Sequence, residues 1–130
     1  MLTTDWRALG GPADLIKGGV VMSGMYELYP VLLSARSSYV KLAPADVVAL
    51  SPLRQLANLA CPVMVVSGDK ESPEFQRQAA TFASVLAGMG KLSSRFTLYN
   101  KNHFEVPEVL NMAGSEVSQA VLAIMGTSRR

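Results

Sequence analysis

The chain has 130 residues, 49% of them hydrophobic and 17% charged, with a net charge of +2. That is enough apolar content for one domain with a packed core, and too much for a disordered chain. The 12 Lys and Arg are scattered rather than striped, which argues against a nucleic-acid partner, and the closing "TSRR" reads as a solvated basic tail.

The opening "MLTTDWRALGG" carries no basic region followed by an apolar one, so no secretory signal is written there. No apolar run is long enough to span a bilayer, and a cytoplasmic setting is the expectation. "KGGVVMSGM" then predicts a first strand over Gly19 to Ser23 that ends in a glycine turn. It is continuously apolar, as a strand covered on both faces should be. From Tyr26 to Leu59 the pattern loosens. "ELYPVLLSARSSYV", "APADVVALSP" and "PLRQLANL" predict short helices cut by Pro30, Pro44 and Pro52. Cys61 is the single cysteine, which excludes an internal disulfide, and with one histidine it cannot build a zinc cage. Its apolar neighbours make it a small buried hydrophobe.

"CPVMVVSGD" predicts a second strand, Val63 to Ser67. The clearest helix follows in "SPEFQRQAATFASVLAGMG". Ser72 stands at its cap position, Pro73 suits the first helical position, and Glu74 suits the positive end of the helix dipole. Phe75, Ala79, Phe82, Val85 and Leu86 share one face, and Gly88 and Gly90 mark the end. "SRFTLYNKN" predicts a third strand over roughly Arg95 to Tyr99, rich in β-branched and aromatic residues. "GSEVSQAVLAIMG" predicts a last helix with Val117, Val121, Leu122 and either Ile124 or Met125 facing inward.

Strands alternating with helices predict an α/β fold of about three parallel strands with flanking helices and a short helical insertion. In such sheets, functional groups gather beyond the carboxyl ends of the strands. Three turns fall there. The second offers Asp69 and Glu71, and the third, in "NKNHFEVPEVL", offers His103, the only histidine. A carboxylate that accepts the proton of one imidazole nitrogen fixes the tautomer and leaves the other nitrogen free to act as a base. Either acid can serve on this ground. Against that stands the plainer alternative of a structural histidine and of acids that serve only a turn or a helix end.

"GGVVMSGMYELYPVL", "ALSPLRQL", "PVMVVSGDKESPEFQRQ" and "NKNHFEVPEVL", in that order, resemble the C-terminal half of an α/β-hydrolase of the arylformamidase (kynurenine formamidase) and carboxylesterase group. The resemblance runs from about Asp5 to Leu110 and implies a single C-terminal portion of that domain over residues 1–130. It places the triad acid at Glu71 rather than Asp69, the triad histidine at His103, and Tyr26 beside the substrate pocket. It assigns no chemistry to Ser51 and Pro52. It also implies hydrolysis of carboxylic esters or of formylkynurenine-like aryl formamides, with no cofactor or metal.

The nucleophile of that family sits on a G-x-S-x-G elbow. No serine in this chain has glycines at that spacing. Ser23 follows a strand, but its flanks are Val21 and Met25. The family's glycine-rich oxyanion segment is absent too. Without the serine there is no acyl-enzyme, and each missing oxyanion donor costs about 3 kcal/mol of transition-state stabilisation. The expectation is a nearly inactive isolated chain with the acid and the base but not the nucleophile. In the family the first strand has an outer neighbour. An open edge near Val20 should therefore promote self-association or pairing with an N-terminal half. The rival readings are a non-catalytic remnant or binding module, and one subunit of a split enzyme.

Overall fold

A computed structural model describes residues 1–126; the "TSRR" tail lies outside the described residues. Three strands form one parallel sheet in the order β1 (Gly19–Met22), β2 (Val63–Gly68) and β3 (Leu92–Leu98). Met22 pairs with Val66, and Gly68 pairs with Leu98, so the three carboxyl ends lie at one rim of the sheet. The expected α/β architecture is what the chain adopts.

β2 is the centre, and every residue in it is buried. Its side chains alternate between two cores, as the two-residue period of a strand requires. Val63 and Val65 pack with Ala79, Phe82, Ala83 and Leu86 of helix α3 (Pro73–Gly88), and with Leu56, Leu59 and Cys61. Met64 and Val66 face the other way, against Val106, Val109 and Val117. Helix α4 (Glu116–Ile124) closes that second layer. The unbroken apolar run in "VMVV" is therefore the mark of a strand sandwiched between two layers.

The structure differs from expectation in several places. β1 ends at Met22 rather than Ser23, and β2 runs one residue further, to Gly68. β3 starts at Leu92 rather than Arg95 and ends before Tyr99, which is 87% exposed. It is a sheet edge, with Leu92, Ser94, Phe96 and Leu98 half-buried and Ser93, Arg95 and Thr97 exposed, so its polar first half does not read as strand. Val85 of α3 is 38% exposed, and the buried face runs instead through Phe75, Gln78, Ala79, Phe82, Ala83 and Leu86. Ser72 occupies the cap position of α3 but its hydroxyl does not cap; Pro73 and Glu74 remain the start signals. In α4, Ile124 packs on the second core while Met125 is exposed and Leu122 lies off that cluster.

The insertion consists of α1 (Tyr29–Leu32), α2 (Pro44–Leu50) and single 3-10 turns at Ala35–Ser38, Pro52–Arg54 and Leu56–Asn58. Pro30, Pro44 and Pro52 stand in the first turn of their elements, where a missing N–H costs nothing. They start these pieces rather than cut them. Cys61 is buried and free, as expected. No helix among the described residues is long and apolar enough to cross a membrane.

Leu86 and Val85 separate the helical face cleanly. Leu86→Ala should lower the unfolding free energy by about 3 kcal/mol, because it opens a cavity in a filled core. Val85→Ala should change it by less than about 0.5 kcal/mol. Urea denaturation followed by circular dichroism checks both.

Candidate active site

The site is built where β2 ends. Gly68 donates its N–H to Glu71 Oε2 at 2.8 Å. Glu71 Oε1 meets His103 Nδ1 at 2.8 Å, with the Glu71 side chain fully shielded and the His103 side chain 39% exposed. Both carboxyl oxygens therefore have a partner, as burial requires. A carboxylate oxygen only accepts, so Nδ1 carries the hydrogen of this contact, and Nε2 is the nitrogen left for proton transfer. The imidazole packs against Phe75, ring centroids 4.5 Å apart, and against the edge of Phe104 at 5.6 Å. With Nδ1 bonded and the ring packed on Phe75, the imidazole orientation is held.

Three devices bring His103 to this position. Asn100 adopts a left-handed backbone, φ 56°, and reverses the chain after β3. Lys101 then crosses over the end of β2, and its carbonyl accepts the Lys70 N–H at 3.0 Å. That carbonyl occupies the place where a side chain on Gly68 would begin, so only glycine admits the crossing. Next, Asn102 and Glu105 brace each other around His103. Asn102 Oδ1 accepts from the N–H groups of Phe104 and Glu105, and Glu105 Oε2 accepts from the N–H of Asn102. Fully buried Val106 anchors the far end.

The acid's turn is pinned separately. Gln76 of α3 donates from Nε2 to the carbonyls of Asp69 at 3.1 Å and Glu71 at 2.8 Å. Asp69 does not reach His103. Its backbone N–H donates to the Leu98 carbonyl, and its Oδ1 is buried with no hydrogen-bond partner among the described residues. Of the two acids left open by residue chemistry alone, Glu71 is the one beside the imidazole.

Tyr26 is 4% exposed and stacks on Phe82, ring centroids 4.0 Å apart and 2° from parallel. Its hydroxyl is buried and has no hydrogen-bond partner among the described residues. Burial pushes that hydroxyl up to about 12; the negative charge of Glu71 adds to the rise, while the Gly24 backbone beside it pulls the other way. The ring lies so close over Gly24 that a Cβ there would fall 2.7 Å from it. Ser23 has a left-handed backbone, φ 50°, and a buried hydroxyl that also lacks a partner among the described residues. No hydrogen bond joins Ser23 to His103.

Sequence reading missed Gly68, Gln76 and Gln78, and left Ser51 without a role. Gln78 Oε1 accepts from the N–H groups of Tyr26 and Glu27 at 2.7 and 2.8 Å, and its Nε2 donates to the Glu27 carbonyl. Ser51 Oγ accepts from the Leu28 N–H and donates to the Val47 carbonyl. Together they hold the segment after β1 against α3. A trace of Gln78 was present in the sequence, as a polar residue on the apolar face between Phe75 and Phe82. Among the described residues no group of three or more His, Cys, Asp or Glu side chains could hold a metal ion.

The chain matches no family model. It is 27% identical over 133 residues to a kynurenine formamidase of Danio rerio, and 27% over 134 residues to one of Salmo salar. Each alignment takes in 98% of this chain and 45% of the relative, so the chain spans about half the length of the curated relatives it matches. A candidate thioesterase from Silicibacter sp. TM1040, solved by crystallography, superposes with a TM-score of 0.70 at 24% identity, over 81% of this chain and 38% of that one. The resemblance to kynurenine formamidases read from the sequence is borne out, and the fold is of the α/β-hydrolase type.

Two substitutions probe this geometry. Gly68→Ala should cost about 3 kcal/mol and displace the His103 loop, since a Cβ would strike the backbone of Lys101. The ring signals of the single histidine should move with it in NMR spectra. Tyr26→Phe removes a buried hydroxyl that has no partner, so stability should stay within about 1 kcal/mol or rise. Burial pushes the Tyr26 hydroxyl up to about 12 from its ordinary 10. This group therefore leaves stability unchanged below pH 10 and lowers it as pH rises from 10 towards 12. Tyr26→Phe should flatten that part of the stability profile, measured by denaturation at stepped pH.

Proposed function

We propose that this chain is the C-terminal portion of a serine-type α/β-hydrolase that cleaves carboxylic esters or aryl formamides, with formylkynurenine as the model substrate. His103 acts as general base and then general acid, and Glu71 orients it. The observation that carries the reading is the contact of His103 Nδ1 with a fully shielded carboxylate whose other oxygen is also bonded. The likeness to kynurenine formamidases over 98% of the chain supports the same chemistry. His103 at 39% side-chain exposure can meet a substrate, while Glu71 cannot.

In this reading the attacking serine comes from outside these 130 residues. His103 Nε2 takes the serine proton, the hydroxyl oxygen attacks the carbonyl carbon, and the imidazolium returns the proton to the departing amine or alcohol. Water then repeats the cycle on the acyl-enzyme. Tyr26 contributes by packing: its buried ring, stacked on Phe82, lines the cleft beside β1. The isolated chain is expected to be nearly inactive and to work in the cytoplasm once completed.

β1 is the place where the completing half would pair. Among the described residues β1 has only β2 as a neighbour. An apolar cleft of about 410 Å³ runs beside it, lined by Leu2, Val21, Met22, Tyr26, Leu56 and Phe82. Self-association through that edge near Val20 is the alternative use of the same surface. A second functional reading, a non-catalytic remnant or one subunit of a split enzyme, is favoured by one observation: the sequence contains no G-x-S-x-G.

A fluorophosphonate probe separates these readings. It should leave the 130-residue chain unlabelled and should label a longer reading frame, or a separate partner chain, that carries the elbow. In the completed enzyme His103→Ala should lower kcat by about a thousandfold and Glu71→Ala by about a hundredfold. Full turnover in both variants would refute the assignment. So would a loss confined to Asp69→Ala.

A further inference from the structure

Phe75 has a second neighbour besides His103. The guanidinium carbon of Arg36 lies 5.3 Å from the centre of the Phe75 ring. The guanidinium and the imidazole thus share one aromatic support. Arg36 belongs to the 3-10 turn Ala35–Ser38 of the insertion, whose start is capped by Ser34. Its backbone is thereby set, and its side chain is half-buried. The cation-π contact holds the head group over the ring.

An open cleft of about 270 Å³ lies against this support. Met25, Pro30 and Phe75 form its apolar wall, and Arg36 and Glu74 are its charged groups. Their states differ. Glu74 is compensated: Arg77 grips both its oxygens at 2.7 and 2.8 Å, and Gln78 adds a third bond at 2.9 Å. Among the described residues Arg36 has no carboxylate within ion-pair distance. The cleft therefore presents a planar, charged fork with its donors unspent, beside apolar walls of which one, Phe75, also packs against the imidazole. That combination matches a ligand with an apolar body and a carboxylate.

Resting on the hydrolase reading above, we propose that Arg36 is the specificity-determining residue of this site. It selects substrates that carry a carboxylate about one aromatic ring's breadth from the carbonyl to be attacked. The guanidinium pairs with that carboxylate in a forked contact, the substrate body lies along Met25, Pro30 and Phe75, and the carbonyl is directed towards His103. Neutral esters of the same size lack the anchor. They enter the cleft and are held less well.

The test reads binding on the 130-residue chain, without turnover. His103 is the only histidine, so its ring protons give one unambiguous set of NMR signals. The probe is 4-phenylbutyrate, and 4-phenylbutanamide is its uncharged counterpart. The acid should bind about tenfold more tightly than the amide, moving the His103 ring signals and the Arg36 Nε–H signal together. R36Q should abolish the preference of acid over amide, while R36K should keep part of it. Added salt should erode the preference in the native chain, which needs no variant to fold. Equal binding of acid and amide, a preference that survives R36Q, or no shift at His103 would overturn the proposal. The hydrolase reading stands or falls on the probe labelling above, so an active completed enzyme with no preference for anionic substrates would remove Arg36 alone.

Discussion

A carboxyl group shut away from water must find partners for both of its oxygens, and Glu71 is such a group. The Gly68 N–H serves one oxygen and His103 Nδ1 the other. Much of the local architecture follows from that requirement. β2 must end at a residue whose N–H points into the turn, and the loop after β3 must pass close enough to deliver an imidazole. Gly68 meets both needs, because the backbone of Lys101 fills the space its side chain would take. A single missing side chain thus brings the acid and the base together.

The turn and the loop are rigid for different reasons. Gln76 stitches the carbonyls of the acid's turn to the first part of α3. The histidine's loop braces itself through Asn102 and Glu105 and is nailed down by Val106 in the second core. The two supports belong to opposite faces of the sheet, since α3 packs on one core and Val106 on the other. The imidazole sits where these layers meet, at the carboxyl rim of the strands. An acid–base pair held from two cores is preorganised in a way that a pair on one loop is not.

The succession of strands and helices, the parallel sense and the helical character of the insertion were legible in the sequence, because each follows from local apolar periodicity, from the alternation of elements and from prolines and glycines. The failures were of a different kind. Ser93 and Ser94 concealed the first half of β3, since an edge strand half open to solvent tolerates hydroxyl side chains. Val85 was assigned inward on spacing alone, although the buried stripe runs one position away through Gln78 and Ala83. A buried glutamine reads as a surface residue until the unpaired backbone groups of Tyr26 and Glu27 that it satisfies are in view.

By itself, the sequence determined an α/β chain with a buried central strand, an acid and a histidine at neighbouring strand tips, and no G-x-S-x-G serine. Those are properties of residue identity and short-range order. Residue spacing left two acids open and the resemblance chose Glu71. The tertiary structure decided that Glu71 is the acid in contact with the histidine, that Tyr26 is packed in the core, and that among the described residues no carboxylate pairs with Arg36 beside Phe75. Spacing could not decide them, because each depends on where segments distant in the chain cross. Asp69 and Glu71 differ by two positions along the chain, yet among the described residues one has an oxygen without a partner and the other faces the imidazole.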